Sequence, residues 1–438
     1  MIASVIGRTF LNAYNEEHGT SYDAKTFFKE QYYPLFFDHN KYMMTAGNSP
    51  LENPKLSWDA MLNGKKEYET AAQRHERFIK FMDKIEDGEA DASIAVGFPT
   101  LDATSTTSGQ VTDMKMPLDE EDIFLSWIGS GLGVGVLGGF SILFNHKDIL
   151  MDVYQGWKYY REALENTPKL RGNQINTWNG QWLVYYNDHR IFNQNNPLAG
   201  FNPYSGKNGV LGIDLQTWTK VLVGIAKKYR DIQLMGYVYN IGQTNTTLGF
   251  IPFNLMQIRR PVQLYEKFFG INDGHKAENL WGTAIGFKSA CRVGAIGLRA
   301  MEPKGLAEYM QKGKLPKPEK DEEQRISYNT YKIWILSMLN NEELWRESEE
   351  LAELLADASV NKDKKISTKS KHSVEEVLAA VNKKQFVDAV TNMMSSIGST
   401  EKLVSIVKDV HSMPTDNVPY FLTLVRFQYA AVSNKSNL

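Results

Sequence analysis

The sequence predicts an α+β protein: a mixed body with glycine-rich strands and hairpins, followed by a helical C-terminal bundle. Three observations predict it. The stretch Tyr237 to Phe253, YVYNIGQTNTTLGFIPF, sets two aromatic, apolar runs around a polar centre bordered by Gly242 and Gly249, the pattern of two strands joined by a turn. The glycine-dense segment 123–146, IFLSWIGSGLGVGVLGGFSILFNH, reads as a strand region and ends in the alternation Phe140, Ile142, Phe144 of a half-buried strand. Beyond residue 328 the apolar spacing becomes helical, with one stripe at Ile333, Trp334, Leu336 and Leu339 and another at Val374, Val377, Leu378 and Val381.

Taken in order, residues 1–45 read as helix followed by an aromatic run, with Pro34 interrupting any continuous helix there. Residues 46–60 carry two prolines and predict an ordered loop. Phe78, Ile79, Phe81 and Met82 predict a helix over Lys65 to Lys84. Segment 100–120 is rich in Ser, Thr and Asp and reads as an exposed loop or hairpin tip. Ile149, Leu150, Val153, Trp157, Tyr160 and Leu164 predict one helix from Lys147 to about Asn166, and residues 214–230 predict another with an acidic start and a basic end. The charged, proline-containing run KGKLPKPEKDEEQR marks a linker at 316–327 between a body, 1–315, and a helical domain, 328–438. Within that domain 328–357, 373–412 and 419–433 read as helices, and 361–372 as a basic flexible loop.

The 438 residues supply enough apolar content for a large core, and 12% aromatics supply stacking surfaces as well. A formal charge of −2 excludes a uniformly basic nucleic-acid coat but not a local basic groove. The single Cys291 makes neither an intrachain disulfide nor a CxxC zinc site. With no signal peptide pattern and no apolar run of about 18 residues, the expectation is a cytoplasmic protein without a membrane span.

No motif names a reaction. Gly133, Gly135 and Gly138 match GxGxxG, but they run into FSILF and not into a helix, so a close-packed glycine hairpin is expected instead of a dinucleotide site. The eight histidines are scattered, with no HExxH or Cys/His spacing, and no GxSxG is present. Glu302-Pro303-Lys304 with Asp273 upstream is the one set that fits a metal-dependent nuclease, which needs carboxylates for the metal and a lysine near the phosphate. No cofactor or metal is expected.

The centre of the 237–253 unit offers Gln243, Thr244, Asn245, Thr246 and Thr247, five neutral groups that both donate and accept hydrogen bonds. They suit base edges and phosphate oxygens, or alternatively cap their own turn. Arg259, Arg260, Lys288 and Arg292 follow, and Lys207 lies earlier in the turn YSGKNG. Interleaved with Tyr237, Tyr239, Trp281 and Phe287, they predict a surface that grips phosphate and stacks bases. Candidate nucleic-acid-binding residues are therefore Gln243, Asn245, Thr246, Thr247, Arg259, Arg260, Lys288, Arg292 and Lys207.

The early turn AGNSPLENP, the strand GLGVGVLGGFSILF, the unit YVYNIGQTNTTLGFIPF and the helical end VPYFLTLVRFQYAAV together resemble the large subunit of a type I CRISPR interference (Cascade) complex. The paired cysteines carried by many such subunits are missing here. The resemblance implies a non-catalytic subunit of an RNA-guided antiviral complex that contacts guide RNA and target DNA. It also implies other subunits of the ribonucleoprotein and a helicase–nuclease as partners, with the Gln243–Thr247 loop reading a groove edge. The alternatives are a nuclease using Asp273, Glu302 and Lys304, and a structural or interaction protein without nucleic-acid contact.

Overall fold

The aromatic run near the N-terminus goes inward. Helix α1 (Ile2–His18) is followed by α2 (Ala24–Phe27), a π-helical turn (Phe28–Tyr32) and α3 (Tyr33–Phe36). Pro34 does not break this helix. It sits in the first turn of α3, and the wider π turn just before it takes up the missing N–H. Phe10, Tyr32, Phe36 and Trp157 close around one another, with Tyr32 stacked on Phe36 at 4.0 Å and Phe36 edge-on to Trp157 at 4.7 Å. The computed structural model describes residues 1–438 apart from 48, 54–56, 87–92, 99–118, 208, 231–232, 241–246, 360–363, 398–400 and 436–438, so the expected loop at 100–120 lies almost wholly outside the described residues.

After α4 (Trp58–Leu62), helix α5 (Ala71–Glu86) starts six residues later than expected, because Thr70 and Gln73 form a reciprocal cap. The glycine-dense segment corrects the expectation more deeply. Its first half is helix α6 (Glu120–Gly131), capped by Asp119 and opened by Glu120, Glu121 and Asp122. Its glycines serve a helix crossing. Cβ atoms added at Gly7 of α1 and Gly129 of α6 would overlap the carbonyl oxygens of Leu125 and Ala3 on the facing helix. Only the second half is sheet, β1 (Val134–Val136) and β2 (Phe140–Phe144), paired antiparallel around the expected glycine turn, with Gly138 and Gly139 at positive φ.

The helix expected over 147–166 is two, α7 (Lys147–Gln155) and α8 (Trp157–Asn166). Between them Gly156 lies against the indole of Trp182, where a Cβ would sit 2.6 Å from the ring. Then come α9 (Ile175–Tyr186), β3 (Tyr204–Lys207), β4 (Val210–Ile213) and α10 (Trp218–Lys228). Helix α10 begins at the Thr217 cap and not at Asp214. Strands β5 (Gln233–Asn240) and β6 (Thr247–Asn254) are the expected flanks of the polar loop. They complete a four-stranded antiparallel sheet in the order β1-β2-β5-β6, while β3 and β4 form a separate ribbon. Gly135 of β1 and Gly180 of α9 meet with no room for a side chain, which is how α9 covers that end of the sheet.

The chain then passes through α11 (Leu255–Phe269) and α12 (Gly274–Glu278), returns to the sheet with α13 (Phe287–Arg292), and leaves again through α14 (Leu306–Lys312). Two compact units result: Met1–Leu255 with Phe287–Ile296, and Met256–Gly286 with Gly297–Leu438. This differs from the expected boundary at 316–327. Asp321 caps α15 (Glu322–Leu339), so half of the expected linker is helix. Lys276 pairs with Glu322 at 2.8 Å, Asp273 with Arg325 at 3.3 Å, and Trp334 donates to the Leu298 carbonyl, which ties 256–286 and 297–301 to the C-terminal helices.

The C-terminal helices are as expected: α16 (Glu343–Ser359), α17 (Lys364–Ala379), α18 (Lys383–Ile397), α19 (Glu401–Ser412) and α20 (Val418–Lys435). From residue 364 the expected basic loop is the first part of α17, the helix that Val374, Val377 and Leu378 anchor in the core. Arg426 of α20 is 1% exposed and has no carboxylate partner among the described residues; it donates instead to the carbonyls of Leu378, Ala380 and Tyr309. A buried guanidinium thereby closes the C-terminal ends of α14 and α17, where the helix dipole favours a cation. The fold is α+β.

Candidate nucleic-acid interface

Strand alternation gives the β5–β6 hairpin two unlike faces. Leu234, Val238, Ile251 and Phe253 point into the core of the first unit. Gln233, Met235, Tyr237 and Tyr239 point the other way, and the register sets Tyr237 opposite Phe250 and Met235 opposite Pro252. Tyr237 lies 5.2 Å from Phe250 and stacks 6.1 Å from Tyr239. Phe250 is 60% exposed and Met235 45% exposed, an unusual placement for large apolar side chains on a sheet. The face is closed on its β2 side, where Tyr239 turns its hydroxyl inward to Ser141 and Asn176.

Near the tip the ladder slips by one residue between Val238 and Tyr239, so that Tyr239 pairs with Thr247. Gly249, with φ of 88°, adopts the left-handed conformation that this bulge requires. Thr247 opens β6 and is exposed. Gln243, Asn245 and Thr246 lie outside the described residues. The outer edge of β6 is paired at its far end, where Asn254 donates to the Ile296 carbonyl and Ile296 to that of Pro252, both at 2.9 Å.

The expected basic residues fall in both units. Lys288 and Arg292 stand one turn apart on the exposed side of α13, whose Phe287, Ala290 and Cys291 face inward; α13 packs on β6, within the same unit as the hairpin. Lys207 ends β3 opposite Val210 in that unit too, its side chain outside the described residues. Arg259 and Arg260 belong to α11 in the second unit and are half-buried, with Arg260 Nε buried and unpaired among the described residues. Trp281 and Phe287 are corrections. They are 1% and 4% exposed and serve the cores of their units, so neither offers a stacking surface.

The nuclease set gains no geometry. Asp273 is engaged by Arg325, and Glu302 and Lys304 lie in a turn, where the Lys304 amide donates to Thr283 Oγ1 and its carbonyl accepts from Tyr331. Burial raises the Glu302 carboxyl above its ordinary range. Among the described residues, no group of three or more His, Cys, Asp or Glu is placed to hold a metal ion.

Sequence reasoning missed one feature of the first unit. Helices α7 to α10 and the loop after α9 enclose a cleft lined by Lys158, Tyr159, Tyr186, Asn187, Phe192 and Lys227, among others. Lys227 and Lys228 were legible only as the basic end of a helix. No family model, curated protein or solved structure matches this chain.

Proposed function

We propose that this protein is a nucleic-acid-binding, non-catalytic large subunit of an RNA-guided antiviral complex, contacting guide RNA and contributing to recognition of target DNA. The observation that carries the reading is the half-open aromatic face of the β5–β6 hairpin. Bases stack on exposed aromatic rings in a sequence-tolerant way, and each such stack contributes roughly 1–3 kcal/mol. Lys288 and Arg292, exposed on the helix that packs on β6 in the same unit, are cations that can attract the phosphates of a strand stacked on the hairpin. The polar Gln243–Thr247 connector supports a share in reading base edges.

Co-purification of the chain with the products of its neighbouring genes tests this reading. Short RNA of one repeated type, recovered from the complex by sequencing, is the expected result; a complex free of nucleic acid overturns it. Within such a complex, Lys288→Glu with Arg292→Glu should weaken binding across sequences and flatten its salt dependence, because fewer counterions are released.

A further inference from the structure

The cleft of the first unit has a volume of about 670 Å³, which suits a small molecule. Its inner wall is aromatic. Trp182 is fully buried and donates its indole N–H to the Asp152 carbonyl at 2.9 Å. Tyr186 stacks on it at 5.4 Å and 23°, and Tyr159 lies 5.1 Å away at 30°. Phe192 meets the same indole edge-on at 6.0 Å. Half-exposed and near-parallel to the buried indole, the Tyr159 and Tyr186 rings give the cleft an aromatic wall along which a flat ligand can lie.

The charges around this wall are uneven. Lys228 is held by Asp152 at 2.7 Å, and Lys227 by Asp188 at 3.4 Å, with Arg190 closing on the same Asp188. Glu17 also acts on Tyr186. Lys158 is different: its ammonium lies 4.9 Å from the Tyr159 ring centre, at the exposed rim, with no carboxylate partner among the described residues. It is the cation left over for an anionic ligand group.

Asn187 supplies the third element. It lines the cleft and is 5% exposed, yet neither its Oδ1 nor its Nδ2 has a hydrogen-bond partner among the described residues. An unpaired buried amide destabilises the fold, and a ligand that pairs with it relieves that penalty. A carboxamide sets one acceptor beside one donor, the complement of a ring nitrogen next to an amino group, as adenine presents.

We propose that this cleft binds a free nucleoside monophosphate, with its base along Tyr159 and Tyr186, its base edge on Asn187 and its phosphate at Lys158. The inference does not depend on the hairpin reading. Calorimetric titration of the full chain tests it with AMP, adenosine and ribose 5-phosphate as probes. AMP should bind saturably at one site, and adenosine and ribose 5-phosphate each roughly tenfold or more weakly, a difference of about 1.4 kcal/mol. Lys158→Glu and Asn187→Leu should each weaken AMP by a similar factor. Asn187→Leu should also hold or raise the unfolding temperature, because it removes an unpaired amide, and RNA binding by either variant should stay unchanged. No saturation at millimolar AMP overturns the proposal, as does ribose 5-phosphate binding as well as AMP, or a dinucleotide pApA binding where AMP does not. A fall in the unfolding temperature of Asn187→Leu also overturns it, because the amide would then be a structural group.

Discussion

Replacing Gly129 by alanine isolates what the glycines of segment 123–146 do. The added Cβ would overlap the Ala3 carbonyl oxygen and lie 2.8 Å from both the Ala3 carbonyl carbon and the Gly7 nitrogen. Contacts of this kind settle near 3.5–4.0 Å, so α6 must retreat from α1 by well over an ångström unless the backbone deforms locally, and even a gap of about 1 Å forfeits up to about half of each dispersion contact across the crossing. Overpacking of this type costs about 1–3 kcal/mol or more, against a gain of about 1 kcal/mol from replacing a helical glycine. The expected net loss is about 1 kcal/mol, or roughly 2–4 °C in a unit of this size. Gly7→Ala meets the Leu125 carbonyl from the other side and should cost a similar amount. Because one separation of the helices relieves both clashes, the double variant should lose less than the sum of the singles. Gly274→Ala, where nothing lies within 4 Å of the added Cβ, serves as the clash-free control and should lose no stability. Urea unfolding followed by circular dichroism measures all four. Gly129→Ala as stable as the parent chain, or strictly additive singles, would refute the close crossing.

Two further perturbations test single buried groups. Arg426→Met should destabilise the second unit by at least about 3 kcal/mol, because the carbonyls of Leu378, Ala380 and Tyr309 each lose a donor in a buried setting; an unfolding midpoint equal to that of the parent would show that water replaces the guanidinium. Asp188 sets a pH dependence. Burial raises its carboxyl, but the hydrogen bonds from Arg190 and the charge of Lys227 outweigh this and hold it well below the usual carboxylate range. A depressed carboxyl stabilises the fold above the unfolded value near 4 and loses that contribution as pH falls through the folded value. Acid titration of stability should therefore steepen below about pH 4, and Asp188→Asn should flatten that limb; an unchanged limb would assign it to other carboxylates.

Much of the fold was legible in local pattern. The hairpin declared itself through strand alternation around glycines, and the C-terminal helices through stripes such as Ile333, Trp334 and Leu336. What failed depended on partners distant in sequence. Gly129 reads as strand or turn punctuation until Gly7, some 120 residues earlier, supplies the helix that it must approach. Gly156 breaks a good helical pattern only because Trp182 occupies the space. Pro34 is a breaker by rule, yet a π turn absorbs it. The unit boundary missed for the same reason, since ion pairs from Asp273 and Lys276 to Arg325 and Glu322 bind segments that composition sets apart. At the candidate interface, the sequence pointed to Tyr237 as a stacking residue, but it did not show that Phe250 stands exposed opposite it or that Trp281 and Phe287 are buried. The cleft was invisible because Asn187 and Lys158 carry meaning only through what surrounds them.

The most direct measurement is the binding of fluorescently labelled single-stranded RNA by the parent chain and by Tyr237→Ala with Phe250→Ala, read by anisotropy across a salt series. Both rings stand at the open face, so the double variant should unfold at nearly the parent temperature. Saturable, salt-dependent binding by the parent, weakened roughly 100-fold in the variant, is the result that base stacking on this hairpin predicts, at about 1–3 kcal/mol per ring. Equal affinity of parent and variant, or no RNA binding by either, would contradict a nucleic-acid role for this face.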